Sequence, residues 1–104
     1  VGAAVVPGGA FVRVMKGFYE GLEVPLDRDW MVIGRGRTAD VVLAEATISR
    51  AHAAIGWDSE GFFMQDLGST NGTKLNGQRS ARARLKDGDD LQLGKLQLRI
   101  VMRG

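Results

Sequence analysis

Residues 90–100 read DLQLGKLQLRI. On either side of Gly94 and Lys95, leucines alternate with polar or charged side chains. Successive side chains on a strand point to opposite faces, and a two-residue turn pairs the residues that flank it. Leu93 then meets Leu96, and Leu91 meets Leu98. All four leucines share one face, with Gln92, Gln97 and Arg99 on the other. An apolar face that closes on itself in this way fixes the register. The segment is predicted to be an antiparallel hairpin that buries one side.

The rest of the chain from Phe11 onward has the same grain. FVRVM (11–15), LEVPL (22–26), WMVI (30–33), DVVL (40–43), HAAIGW (52–57), GFFMQD (61–66), TKL (73–75) and KLQLRIVM (95–102) have strand length and β-favouring content. Turn signals separate them: Lys16-Gly17, Asp58 to Gly61, Asn71-Gly72, Asn76-Gly77 and Asp87-Gly88. In HAAIGW, Ala53, Ile55 and Trp57 fall on one side. The alanines of LAEATISRAHAAI (43–55) suit a helix, but Thr47, Ile48 and the flanking strands favour a loop followed by a strand. Many short strands without a convincing helix imply an antiparallel sandwich or barrel. No internal repeat is visible.

Bulk properties narrow the function. The chain has 104 residues, enough for one domain with its own core. It has no cysteine, which removes disulfides and thiolate metal sites. Its one histidine, His52, makes an all-protein transition-metal site a poor prospect. Fourteen basic against twelve acidic residues give a net charge of +2, too little to argue for nucleic acid. No apolar run reaches membrane-span length. The opening VGAAVVPGGA lacks the basic n-region of a signal peptide. Residues 1–10 read as a flexible linker or cloning remnant, and 11–104 as the domain, cut from something longer.

Several motifs have competing readings. GRGRTA (34–39) matches the dinucleotide fingerprint in letters, but that mechanism needs a βαβ unit and DVVL follows as a strand. The alternatives are a water-exposed turn, or Arg35 held at a strand end as an anion clamp. Ser49 and His52 lack the orienting carboxylate and the elbow of a hydrolase, so His52 reads as a hydrogen-bonding strut. Asp40 and Asp66 read as turn formers. RSARARLK (79–86) carries four positive charges without interleaved aromatics, which favours a solvated strand edge over a nucleic-acid patch. GSTNGT (68–73) is by itself an ordinary turn. Yet this loop, Ser49 and Arg35 each place hydroxyls, an amide or a guanidinium at the tip of a strand, where they can surround an oxyanion.

Taken in order, Gly34-Arg35, Ser49-x-x-His52 and Gly68-Ser69-Thr70-Asn71-Gly72-Thr73 resemble the forkhead-associated (FHA) domain family. Asn76-Gly77, Asp87-Gly88-Asp89 and Leu91 to Gly94 resemble that family's closing segment, and the similarity covers nearly all of Phe11 to Met102. The resemblance implies an all-β, two-sheet antiparallel sandwich of about eleven short strands with ligand loops at one end. It implies a phosphothreonine-dependent binding module. Arg35, Ser49, Thr70 and Arg50 would contact the phosphate, and Asn71 the peptide main chain. Gly34, His52, Ser69 and Gly72 would hold the loops in shape. Ala51 and the loop Arg37 to Ala39 depart from the family pattern.

The resemblance further implies a phosphothreonine-containing partner, hence an upstream Ser/Thr kinase, and a larger signalling or regulatory parent in a cytoplasmic or other intracellular setting. No cofactor, metal, nucleic acid, membrane insertion or catalysis is expected, and the domain is expected to be monomeric. Two other classes compete: a structural interaction domain that ignores phosphate, and an enzyme. The first sits poorly with intact Arg35, Ser49, Thr70 and Asn71. The second lacks a nucleophile–base pair.

Overall fold

The computed structural model describes residues 5–103. Eleven strands form two sheets, and no helix occurs among the described residues. The strands are β1 (Phe11–Val14), β2 (Glu23–Pro25), β3 (Trp30–Gly34), β4 (Val41–Val42), β5 (Ala53–Asp58), β6 (Gly61–Asp66), β7 (Thr73–Leu75), β8 (Gln78–Arg79), β9 (Arg82–Arg84), β10 (Asp90–Leu93) and β11 (Leu96–Val101). One sheet has the order β2-β1-β11-β10-β7-β8 and the other β4-β3-β5-β6-β9. The sandwich expected from the sequence is therefore the observed architecture.

The hairpin at 90–100 has the anticipated register, with Leu91 opposite Leu98 and Leu93 opposite Leu96. All four leucines are buried, together with Val12, Val14 and Ile100 of the same sheet. The facing sheet contributes Met31, Ile33, Ala53, Ile55, Phe62 and Met64. Both faces of β5 are covered, because the Phe63 ring lies directly over Gly56 on the outer side. The stretch 43–52 is a loop that leads into β5, as its Thr and Ile suggested.

One pair departs from the antiparallel rule: β4 runs parallel to β3. The cause is local. Asp40 accepts the Val32 N–H through Oδ2 at 2.8 Å, and its own N–H donates to the Val32 carbonyl at 2.9 Å. This clamp returns GRGRTA to the flank of β3, so that segment is a loop between two strands with no crossover helix. The basic segment splits into β8 and β9, and β9 forms an edge of its sheet as the charge pattern implied.

Of the 1–10 segment, residues 1–4 lie outside the described residues. Within the remainder, Ala10 is buried, its carbonyl accepts the Leu26 N–H, and Val6 packs against the core. Next to Ala10, Phe11 at the start of β1 pairs with Val101 at the end of β11. No helix is long and apolar enough to cross a membrane among the described residues.

Candidate functional site

Strands β3 and β6 end, and β5 begins, at one end of the sandwich. This brings together the loops 35–40, 43–52 and 67–72. Backbone bonds join the first two: Arg35 N–H donates to the Ser49 carbonyl and Gly36 N–H to the Arg50 carbonyl, each at 3.1 Å. Gly34 makes this approach possible. A Cβ there would sit 1.9 Å from the Arg50 carbonyl oxygen, inside any van der Waals contact.

His52 joins the second loop to the third. It is completely buried. Its Nδ1 accepts the Ser49 N–H at 3.0 Å, and its Nε2 faces the Gly72 carbonyl at 2.8 Å. An amide can only donate and a carbonyl can only accept, so the proton resides on Nε2. The His52 backbone adds two more ties, to the Ile33 carbonyl and the Leu67 N–H. This is the strut expected from the sequence. It also removes the hydrolase geometry: the imidazole bonds the Ser49 amide rather than its hydroxyl, and both ring nitrogens are engaged.

Ser49 Oγ accepts the Thr70 N–H at 3.1 Å, which leaves its own proton free to donate. Thr70 is exposed. Arg35 is exposed and anchored through Nε, which donates to the Ile48 carbonyl at 2.7 Å. Its two terminal nitrogens stay available. Arg50 is exposed beside it. Neither arginine joins an ion pair among the described residues. The structure thus brings Arg35, Ser49, Arg50 and Thr70 to one end.

Asn71 has a narrower place than expected. Its Nδ2 donates to the Thr47 carbonyl at 2.7 Å, so half of the amide is spent on joining loops. Oδ1 remains an acceptor that a main-chain N–H can meet. Thr47 is a hub that sequence reasoning missed. Its N–H donates to Glu45 at 2.6 Å, its hydroxyl also donates to the Glu45 carboxylate, and its Oγ1 accepts the Lys95 N–H at 2.7 Å. The Thr47 side-chain bond holds the Glu45 carboxyl below its ordinary range. The tip of the 90–100 hairpin is thereby docked on this loop, and a Cβ on Gly94 would lie 2.4 Å from the Thr47 carbonyl oxygen.

Asp66, read from the sequence as a turn former, is one, and it braces the loop further than expected. Its Oδ1 accepts from the hydroxyls of Ser69 at 2.6 Å and Thr73 at 2.7 Å, and its Oδ2 from the N–H groups of Gly68 and Ser69 at 3.0 Å. Burial alone pushes this carboxyl up, and the four bonds outweigh it and hold the group below the ordinary range. Ser69 Oγ in turn accepts the Gly72 N–H at 2.9 Å. The sequence signal was a carboxylate placed just ahead of a hydroxyl-rich turn. The supporting positions Gly34, His52, Ser69 and Gly72 all take part in loop bracing. Among the described residues no three His, Cys, Asp or Glu side chains gather as metal ligands would.

Comparison with known proteins gives the family. The FHA domain family profile matches residues 31–94. The chain is 36% identical over 92 residues to the glycogen accumulation regulator GarA of Mycobacterium tuberculosis, covering 88% of this chain and 57% of that protein. It is 37% identical over 93 residues to an oxoglutarate dehydrogenase inhibitor of Corynebacterium diphtheriae, covering 88% and 65% respectively. The chain therefore spans less than two thirds of these relatives. A domain solved in a study of phosphothreonine-dependent FHA domain interactions superposes with a TM-score of 0.84 at 32% identity, covering 91% of this chain and 97% of that one. With the profile, the relatives and the fold in agreement, this chain belongs to the FHA domain family.

Proposed function

We propose that the domain binds phosphothreonine-containing segments of other proteins and performs no chemistry on them. The observation that carries this reading is the convergence of the Arg35 guanidinium, the Ser49 hydroxyl and the exposed Thr70 on loops clasped by His52. A phosphothreonine brings about −1.5 to −2 charges and three strong acceptor oxygens. A guanidinium fork and neutral hydroxyls match that group without crowding it. In this reading Arg35, Ser49, Thr70 and Arg50 bind the phosphate, and Asn71 Oδ1 accepts a peptide N–H. The solved relative's phosphothreonine dependence supports the assignment, and the regulator and inhibitor relatives support a regulatory setting. A Ser/Thr kinase acting upstream follows from it, as does an intracellular site of action for a monomeric domain.

The test is calorimetry with four matched peptides carrying phosphothreonine, phosphoserine, glutamate or threonine at one position. The expected order of affinity is that order. The threonine methyl contributes about 1 kcal/mol by area, and glutamate carries less charge and one fewer acceptor oxygen than the phosphate. Equal binding of the unphosphorylated peptide overturns the proposal in favour of a structural interaction module.

A further inference from the structure

The basic segment 79–86 supplies an edge strand to each sheet, and its arginines differ in how they are paired. Arg84 bonds Asp58 at 2.7 Å and Glu60 at 3.2 Å, and Arg82 lies 3.8 Å from Asp58. Arg79 has a different environment. It joins no ion pair among the described residues, and its guanidinium folds back against Gly72 in the loop proposed to hold the phosphate. A Cβ on Gly72 would meet its Nε at 2.7 Å and its Cζ at 2.8 Å.

The residue opposite Arg79 across the β7–β8 pair is Lys74. Cross-strand partners share a face, and like charges directly opposite one another destabilise a sheet. The next residue in that row, Gln92 on β10, is neutral. No carboxylate in the row offsets the two cations. Lys74 also lines a cleft of about 270 Å³ with Thr47, Asn71, Gly72, Gly94 and Lys95. Asn71 and Gly72 thus border both the phosphate loops and this cleft. Glu45, the carboxylate that acts on Lys95, is already bonded by Thr47.

We propose that Lys74 and Arg79 form a second anion subsite that selects an acidic side chain flanking the phosphothreonine. This deepens the phosphothreonine reading and rests on it. A segment with its phosphate on Arg35 and a main-chain N–H on Asn71 passes the cleft, where a carboxylate relieves the repulsion between the two cations. The two residues set specificity and do not touch the phosphate.

The experiment is fluorescence anisotropy on phosphothreonine peptides in which a single glutamate, or a matched glutamine, is moved through the flanking positions. Exposed ion pairs are modest, so glutamate at one position or two neighbouring ones is expected to improve affinity about two- to fivefold. Arg79→Gln combined with Lys74→Gln should abolish that preference and leave the affinity of the all-glutamine peptide within about twofold, both residues being exposed. A glutamate preference that survives in the double variant overturns the inference. So does its absence from the wild-type protein while phosphate dependence persists. Failure of every phosphorylated peptide to bind more tightly than its unphosphorylated form overturns the phosphothreonine reading itself, and this inference with it.

Discussion

Arg35 enters the site with Nε already bonded to the Ile48 carbonyl, so the orientation of its fork is set before any ligand arrives. Arg35→Ala should weaken phosphopeptide binding by about 1.5–3 kcal/mol or more, the worth of charge-assisted hydrogen bonds. Arg35→Lys should rescue little, because an ammonium cannot both hold Ile48 and present a planar pair of donors. Near-normal affinity of the alanine variant by calorimetry removes Arg35 from the phosphate. His52 acts differently. His52→Ala leaves the Ser49 N–H and the Gly72 carbonyl without partners and opens a cavity, which should cost about 2–5 kcal/mol of stability. Affinity should fall with it. A variant that melts like the wild type yet does not bind would make His52 a ligand contact instead. Asp66 gives a pH signature. Its carboxyl is depressed in the folded state, so its contribution is complete above the unfolded value of about 3.9 and is lost as the pH falls through the folded value. Melting curves of Asp66→Asn should therefore be flatter than wild type below about pH 4, and parallel curves would show that Asp66 does not carry the acid sensitivity.

At the scale of strands and loops, close approach matters more than propensity. Gly34 lies in β3 beneath the Arg50 carbonyl, so Gly34→Ala must part the first two loops. Overpacking of this kind costs about 1–3 kcal/mol, and the loss should appear in phosphopeptide affinity as well as in thermal stability. Unchanged affinity would mean that the Arg35 and Ser49 loops need not touch. The same scale shows what a linear reading can and cannot see. The 90–100 hairpin was legible because four leucines encode one face. His52, Ser49 and Thr70 were legible because they fall, in order, within motifs that resemble the family's. The parallel β3–β4 pair was not, since it depends on Asp40 folding back to Val32. Strands β8 and β9 have no apolar alternation and exist through their partners. Thr47 escaped notice, and Asp66 was read only as a turn former, because they act on neighbouring loops and not on a ligand.

Across the whole molecule, the small net charge of +2 conceals a division of labour among the arginines. Arg13, Arg28, Arg82, Arg84 and Arg99 are matched with carboxylates. Among the described residues Arg35, Arg37, Arg50 and Arg79 join no ion pair and stand on or against the loops of one end, while Arg103, likewise outside these ion pairs, lies over the Phe11 ring at the other. Binding of an acidic phosphopeptide should therefore weaken steeply as ionic strength rises through the range where the screening length shrinks from about 10 Å to 3 Å. Titration of the complex with salt checks this, and a flat response would mean that the unmatched arginines are spectators. The pairing of Phe11 with Val101 has a separate outcome. Strand β1 begins and β11 ends at the pole away from the loops 35–40, 43–52 and 67–72. A fused partner, a fluorophore or a sensor surface joined at either terminus leaves the reading pole turned to solution. Because β11 alone is about 20 Å long, a tail attached there needs about six extended residues merely to travel back along the domain. A phosphorylated residue placed nearer than that to the fold is out of its own domain's reach and is open to capture by another molecule.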